Sequence, residues 1–318
     1  MDRFESMTAF VTVARAGGFS AAARQVGVPL ATVSRRVAEL ENALGVRLLR
    51  RSTRRVALTE AGETFFATCE RVLGDLKDAE DAMLGEYRTP KGSLTVTAPL
   101  GFGRLHLQPV ALGFLAAYPQ INLRLMLVDR VVDLVDEQVD IALRIAELAD
   151  STMIARPLGA VRMVVTASPA YLESHGAPTH PSQLIAHDCI AWSTLGPLNT
   201  WWFRSGHGEQ TFPVRTRLAT TSADSAISAA QSGLGLTQTT CYQAERYVRA
   251  GELVIVLQEF ECGPTPVNLV YASNRLLPLK LRAFIDFAAP RLSARLRDVT
   301  DAVGPRSRYS NSPDSGSV

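Results

Sequence analysis

Apolar positions in the N-terminal part of the chain recur every three to four residues. In FESMTAFVTVARAG, Met7, Phe10, Val11, Val13 and Ala14 predict a largely apolar helix that Gly17-Gly18 ends. FSAAARQVG predicts a second helix, with Ser20 as its N-cap and Gly27 closing it in the left-handed conformation. Pro29 suits the first turn of a third helix, PLATVSRRVAELENALG, because its missing N–H has no intrahelical partner there. Val33, Val37, Leu40 and Leu44 give that helix one buried stripe before Gly45. The spacing then changes. Val46, Leu48 and Leu49, and again Val56 and Leu58, predict two short strands with RRSTRR at the tip between them. From about Glu60 to about Tyr87 one long helix is expected, capped by Thr59, with Glu60 and Glu63 at the positive end of its dipole. Its apolar residues Phe65, Cys69, Val72, Leu76, Ala79 and Met83 form a heptad seam. Such a narrow stripe most simply pairs with a second copy of itself; packing against its own chain is the alternative.

The charge distribution sharpens this picture. The 318 residues carry a formal net charge of only +2. Residues 1–55, however, hold ten arginines against Asp2, Glu5, Glu39 and Glu41, whereas residues 56–88 are net acidic. A basic head on an acidic neck points to a polyanionic partner.

Short helix, turn at Gly27 and second helix make a helix-turn-helix, with Ala23, Gly27 and Val33 at the spacing that unit needs. In such a unit the second helix enters the major groove, which places Leu30, Ala31, Ser34, Arg35 and Arg36 toward DNA. Arg35 can read a guanine or clamp a phosphate. The hairpin that follows reads as a wing whose Arg50, Arg51, Arg54 and Arg55 reach phosphates or the minor groove.

The stretch FSAAARQVGVPLATVSRRVAELENALGVRLLRRSTRRVALTEAG resembles the N-terminal signature of LysR-type transcriptional regulators, through Ser34-Arg35, Leu40-Glu41, Leu44-Gly45, Arg51, Arg54 and Leu58-Thr59 with Ala61-Gly62. The resemblance implies an α+β multidomain protein. Its parts would be an N-terminal winged helix-turn-helix, a long linker helix and a C-terminal two-lobed α/β effector-binding domain resembling periplasmic binding proteins. The resemblance also implies a homodimer or homotetramer. Leu30 and Ala31 depart from the family's frequent polar residue or proline, and Pro99 stands where many relatives carry a small hydroxyl residue.

Beyond a Pro90- and Gly92-marked linker, strands and helices alternate, as βαβ units with parallel sheets do. SLTVTAP, INLRLMLVD and VDIALRI read as strands, LHLQPVALGFLAAY as a helix and VVDLVDEQ as a short helix. A second block runs from about 163 to 263, with a hairpin from TWWFR to FPVRTRL. The chain then returns with PVNLVYAS and a final helix. The expected divisions are 1–58 for the winged head, 59–89 for the linker helix and 90–303 for the effector-binding domain. Its first lobe is about 91–162 with 264–300, its second about 163–263, and 304–318 is a disordered tail. Ligands of such sheets sit beyond strand carboxyl ends. That places Pro99, Leu100, Gly101, Phe102, Asp129, Arg144, Ser193, Thr194, Thr221, Ser222 and Thr237 at an effector site. Ser222 serves equally as a helix N-cap, and Arg144 equally as half of an internal salt bridge.

The same sequence narrows the function. GLGLTQ lacks the third glycine of a dinucleotide fingerprint and follows a helix, and no G-x-S-x-G, Walker or H-E-x-x-H motif occurs. The four cysteines have no C-x-x-C pair, so no metal site and no cofactor is expected. No apolar run spans a bilayer, and the N-terminus lacks a signal-peptide pattern, so the expected compartment is the cytoplasm. The expectation is a non-enzymatic, sequence-specific DNA-binding regulator. Its partners would be an inverted-repeat operator in double-stranded DNA, a small-molecule effector such as an organic acid, and RNA polymerase if it activates. A ligand-independent architectural DNA binder, or a small-molecule-binding protein or enzyme whose head oligomerises it, are the alternatives.

Overall fold

The computed structural model describes residues 2–51, 56–83, 89–148, 153–192, 198–206, 208–272 and 277–304. Asp2, which the apolar pattern does not mark, opens the first helix. Its carboxylate accepts from Phe4 N at 2.9 Å and Glu5 N at 3.2 Å, capping α1 (Arg3–Ala16). α2 (Phe19–Val26) starts one residue before the expected cap. Gly18 is the N-cap without a side-chain bond, and Ser20 lies exposed inside the first turn. α3 (Leu30–Leu44) has Pro29 at its N-cap and left-handed Gly45 at its end. β1 (Leu49–Arg51) and β2 (Val56–Leu58) pair antiparallel, Arg50 opposite Ala57. The wing tip and its Arg54 and Arg55 lie outside the described residues.

α4 (Glu60–Met83) corrects the reading of the seam. Cys69 is fully buried, and Phe65, Phe66, Val72 and Leu73 pack on the core formed by Phe10, Val13, Val33, Val37 and Leu40. The Phe10 ring lies 6.0 Å from Phe65 and 6.3 Å from Phe66. Phe66 and Leu73 widen the stripe beyond a coiled-coil seam, which is the mark of a helix packed on a globular core. Leu76 is 39% exposed. The side chains of Ala79 and Met83, and the expected helix end at Tyr87, lie outside the described residues.

The first compact unit runs to Ser93 and also includes Leu279, and the second begins at Leu94. In the second unit, β3 (Gly92–Ala98) leads into α5 (Leu100–Phe102), a π-helical turn (Gly103–Leu107) and α6 (Gln108–Ala117) without a break. β4 (Ile121–Leu127), β5 (Ile141–Ile145) and β6 (Met153–Val161) follow. Only Arg162 separates β6 from β7 (Met163–Ala167), the first strand of the other lobe. That lobe continues with α7 (Pro169–His175), β8 (Asp188–Trp192), β9 (Thr200–Ser205), β10 (Gly208–Pro213), β11 (Arg215–Thr220), α8 (Ala223–Gln231), β12 (Leu236–Thr240), α9 (Cys241–Arg249) and β13 (Val254–Val256). β14 (Thr265–Ala272) and α10 (Leu279–Ala302) return to the first lobe. The sheet orders are β4-β3-β5-β14-β6 and β11-β8-β12-β7-β13, with β9 and β10 forming a separate hairpin.

Three expectations change here. The sheets are mixed: β14 runs antiparallel to β5 and β6, and β7 antiparallel to β12 and β13, because the strands that carry the chain between lobes reverse its direction. VVDLVDEQ forms a capped turn and no helix. Asp133 caps Val135 N and Asp136 N, and Val139 N bonds Leu134 O at 2.8 Å with Gln138 at φ 52. FPVRTRL divides: its start completes the β9–β10 hairpin and RTRL joins the main sheet beside β8.

Candidate functional site

The first site grows from the α2–α3 turn. Ala22 and Ala23 are buried, which lets the two helices approach closely. Gly27, at φ 71, returns the chain, with its N–H bonded to Ala23 O at 3.0 Å. The buried stripe Val33, Val37 and Leu40 turns the opposite edge of α3 outward. Leu30 is 47% exposed, Ala31 and Arg35 are exposed and Ser34 is half-buried. Among the described residues Arg35 has no ion pair. Arg36 is turned aside: its guanidinium bridges Glu5 on α1 at 2.5 Å.

Two residues whose structural roles sequence reasoning missed hold the wing against this helix. Glu41 is only 3% exposed. Its Oε1 accepts from Leu48 N at 2.8 Å and Leu49 N at 3.1 Å, and Oε2 takes Arg47 at 3.2 Å. A carboxylate thus satisfies the backbone where the chain leaves α3 for β1. Gly62 is the second. A Cβ there would lie 2.0 Å from Leu48 O, so only glycine lets α4 cross beside β1. Thr59 completes the joint, its hydroxyl 2.8 Å from Arg47 O while it accepts from Gly62 N at 2.9 Å. Arg50 projects exposed from β1; Arg51's side chain, with Arg54 and Arg55, is outside the described residues.

The second site is a cavity of about 540 Å³ between the two lobes. Pro99, Leu100, Gly101, Asp129, Arg144, Thr221 and Ser222 line it. Phe102 does not: it is fully buried, its ring 5.0 Å from His106 and 5.2 Å from Tyr242. Nor does Thr237, which is fully buried and donates to Ile190 O at 3.0 Å. Ser193 and Thr194 lie outside the described residues. The lining also includes Thr97, Arg130, Trp192, Asp224, Thr240, Tyr242 and Gln243. Tyr242 and Gln243 stand at a helix start just past the β12 carboxyl end, so the strand-end rule alone could have found them.

Most polar groups of the cavity are engaged. Asp129 accepts from Leu100 N at 2.9 Å, fixing the loop after β3. Arg130 grips Glu137 with two bonds of 2.6 Å. Asp224 pairs with Arg104 at 2.6 Å. Ser222 caps α8 by accepting from Ser225 N at 3.3 Å, so the capping role exists whether or not it also meets a ligand. Trp192 donates its indole N–H to Gln238 O at 2.8 Å. Burial pushes the Tyr242 phenol up to about 12, so it stays protonated. Gly101 faces Gln243 so closely that a Cβ would lie 2.8 Å from its Nε2. Among the described residues no group of three His, Cys, Asp or Glu side chains is placed to hold a metal.

Known proteins resemble both parts of the chain. The family description "Bacterial regulatory helix-turn-helix protein, lysR family" matches residues 4–63, and "LysR substrate binding domain" matches residues 88–293. An HTH-type transcriptional regulator of Xanthomonas campestris pv. campestris is 37% identical over 288 residues, covering 89% of this chain and 84% of the relative. The structure of CrgA, a LysR-type transcriptional regulator from Neisseria meningitidis, is 36% identical with a TM-score of 0.59, covering 91% of this chain and 98% of that one. The full-length Vibrio cholerae virulence activator AphB is 30% identical with a TM-score of 0.57, covering 89% and 97%. The chain therefore belongs to the LysR family of transcriptional regulators, with a helix-turn-helix head and a C-terminal substrate-binding domain.

Proposed function

We propose that Leu30, Ala31, Ser34 and Arg35 read base edges in the major groove while Arg50 and the wing arginines Arg51, Arg54 and Arg55 hold phosphates. The observation that carries this is the exposed, unpaired edge of α3 around Leu30, Ala31 and Arg35. Arg36 supports the head through Glu5 and makes at most a secondary contact. Two heads, paired through the distal part of α4 from Leu76 toward Ala79 and Met83, bind an inverted repeat as a homodimer or a pair of dimers. The protein works in the cytoplasm without catalysing a reaction, and as an activator it would engage RNA polymerase.

The interlobe cavity is the effector site, built from the lining residues Pro99, Leu100, Gly101, Asp129, Arg144, Thr221 and Ser222. Its ligand acts only through a difference in affinity between two arrangements of the protein. The test is a footprint on DNA the protein selects, for the wild type, Arg35→Ala and Leu100→Trp. Arg35→Ala should weaken and broaden recognition. Leu100→Trp should fill the cavity, keep DNA binding and abolish the response to a small-molecule cell extract. An undiminished response in Leu100→Trp would overturn the cavity assignment.

A further inference from the structure

We propose that the cavity selects a monoanionic organic acid with an uncharged apolar body, and that Arg144 holds its carboxylate. This rests on reading the cavity as the effector site. Four charged side chains line it: Asp129, Arg130, Arg144 and Asp224. Two are ion-paired and a third is anchored by a backbone amide. Arg130 is held by both oxygens of Glu137, Asp224 by Arg104, and Asp129 by the Leu100 amide. Arg144 differs. It donates from Nη2 to Val132 O at 2.7 Å, and among the described residues no carboxylate pairs with it. Asp133 lies near enough for its charge to sense Arg144, but its Oδ1 already caps Val135 N and Asp136 N. A half-buried guanidinium has five N–H donors in a planar fork. Most of them have no protein acceptor among the described residues, and two carboxylate oxygens fit that fork.

The remaining wall fits an apolar body. Leu100 is 50% exposed and Val131 82%, so protein covers neither well. Trp192, also in the lining, has its N–H occupied by Gln238 O. A second carboxylate on the ligand would find no free cation here among the described residues. The volume of about 540 Å³ lies within the range of small-molecule sites.

The test is calorimetric titration of the full-length protein with linear, branched and cyclic monocarboxylates of up to about ten carbons. Each acid is matched with its primary amide, its amine and a dicarboxylate of equal length. At least one acid should bind, at least about tenfold tighter than its amide and dicarboxylate. Arg144→Gln should lose at least about tenfold for the acid and leave the amide unchanged, while Arg144→Lys recovers part of the loss. Because Arg144 also holds Val132, unchanged DNA affinity and unfolding temperature in Arg144→Lys report that the fold is intact. Equal binding of acid and amide, an Arg144→Gln protein that keeps its preference, or no binding by any acid would each overturn the proposal. A neutral compound that changes the footprint and loses its effect in Leu100→Trp would sink the anion proposal and leave the cavity reading standing. An acid that binds through Arg144 but never changes the footprint would do the reverse.

Discussion

Glu245 on α9 and Arg295 on α10 meet at 2.6 Å and tie the second lobe to the long C-terminal helix. Glu245 is almost wholly buried and also takes Arg249 at 2.6 Å. Arg162 adds another tie, donating to Val303 O at 2.6 Å, and Arg249 donates to Asp298 O at 3.1 Å. The N-terminal part of α10 packs on the first lobe, with Phe284 5.0 Å from Phe114 of α6. One helix thus straps both lobes together. Glu245→Ala would leave Arg249 and Arg295 facing each other without a counterion. The expected cost is on the order of 2 kcal/mol, below that of a fully buried pair because Arg295 is over a third exposed. Urea unfolding of the variant measures it; a change under about 0.5 kcal/mol would show that the strap carries little.

His106 makes stability depend on pH. It is 4% exposed among Phe102, Tyr242 and Arg295, and its Nε2 has no partner among the described residues. Burial, aided by the Arg295 charge, lowers its pKa from the usual 6.5 to about 4. The native state therefore favours the neutral ring. This contribution is level above pH 6.5 and falls as pH drops toward about 4, because the unfolded chain takes up the proton first. The loss reaches about 3 kcal/mol. His106→Gln should flatten that part of the profile, measured as the difference in unfolding free energy between variant and wild type across the window. Parallel profiles would contradict the assignment.

Two glycines of α4 should respond oppositely. Gly62→Ala forces a methyl against Leu48 O, whereas a Cβ at Gly74 meets nothing within 4 Å. Gly62→Ala should destabilise the head by about 3 kcal/mol or more. Gly74→Ala should stabilise it by about 0.5–1 kcal/mol, through helix propensity alone. Thermal unfolding of both variants checks the pair.

This contrast also marks what the sequence conveys. Val33, Val37 and Leu40, Thr59 before α4 and Ser222 before α8 act through local spacing, and each sits as its spacing implies. Gly62 acts through a backbone neighbour fourteen positions earlier, which no periodicity reveals. Cys69 and Phe65 satisfy a heptad rule and a globular-core rule at once, and only the position of Phe10 decides between them. The cavity is assembled from strand ends far apart in the chain. Strand-end reasoning found Pro99, Asp129 and Arg144 but could not tell that Phe102 and Thr237 turn inward. The strands β6 and β13 escaped notice because each is a sheet edge with weak or short apolar patterning.

Arg35 and Arg36 are neighbours in sequence with different expected roles. Arg35→Ala should relax base preference by about 1–3 kcal/mol if the side chain is bidentate to guanine. Arg36→Ala removes the bridge to Glu5 and should leave the preferred site unchanged. Replacing Arg50 or a wing arginine by alanine should reduce the slope of log affinity against log salt by about 0.9 for each phosphate left without its cation. Competition binding at several salt concentrations separates the three.

The most direct test of the regulator account is selection of fragmented genomic DNA on the purified full-length protein at roughly physiological salt, followed by sequencing. A few sharp peaks that share an inverted repeat are expected, weakened and broadened by Arg35→Ala. Diffuse recovery unaffected by Arg35→Ala, or no recovery even at low salt, would contradict it.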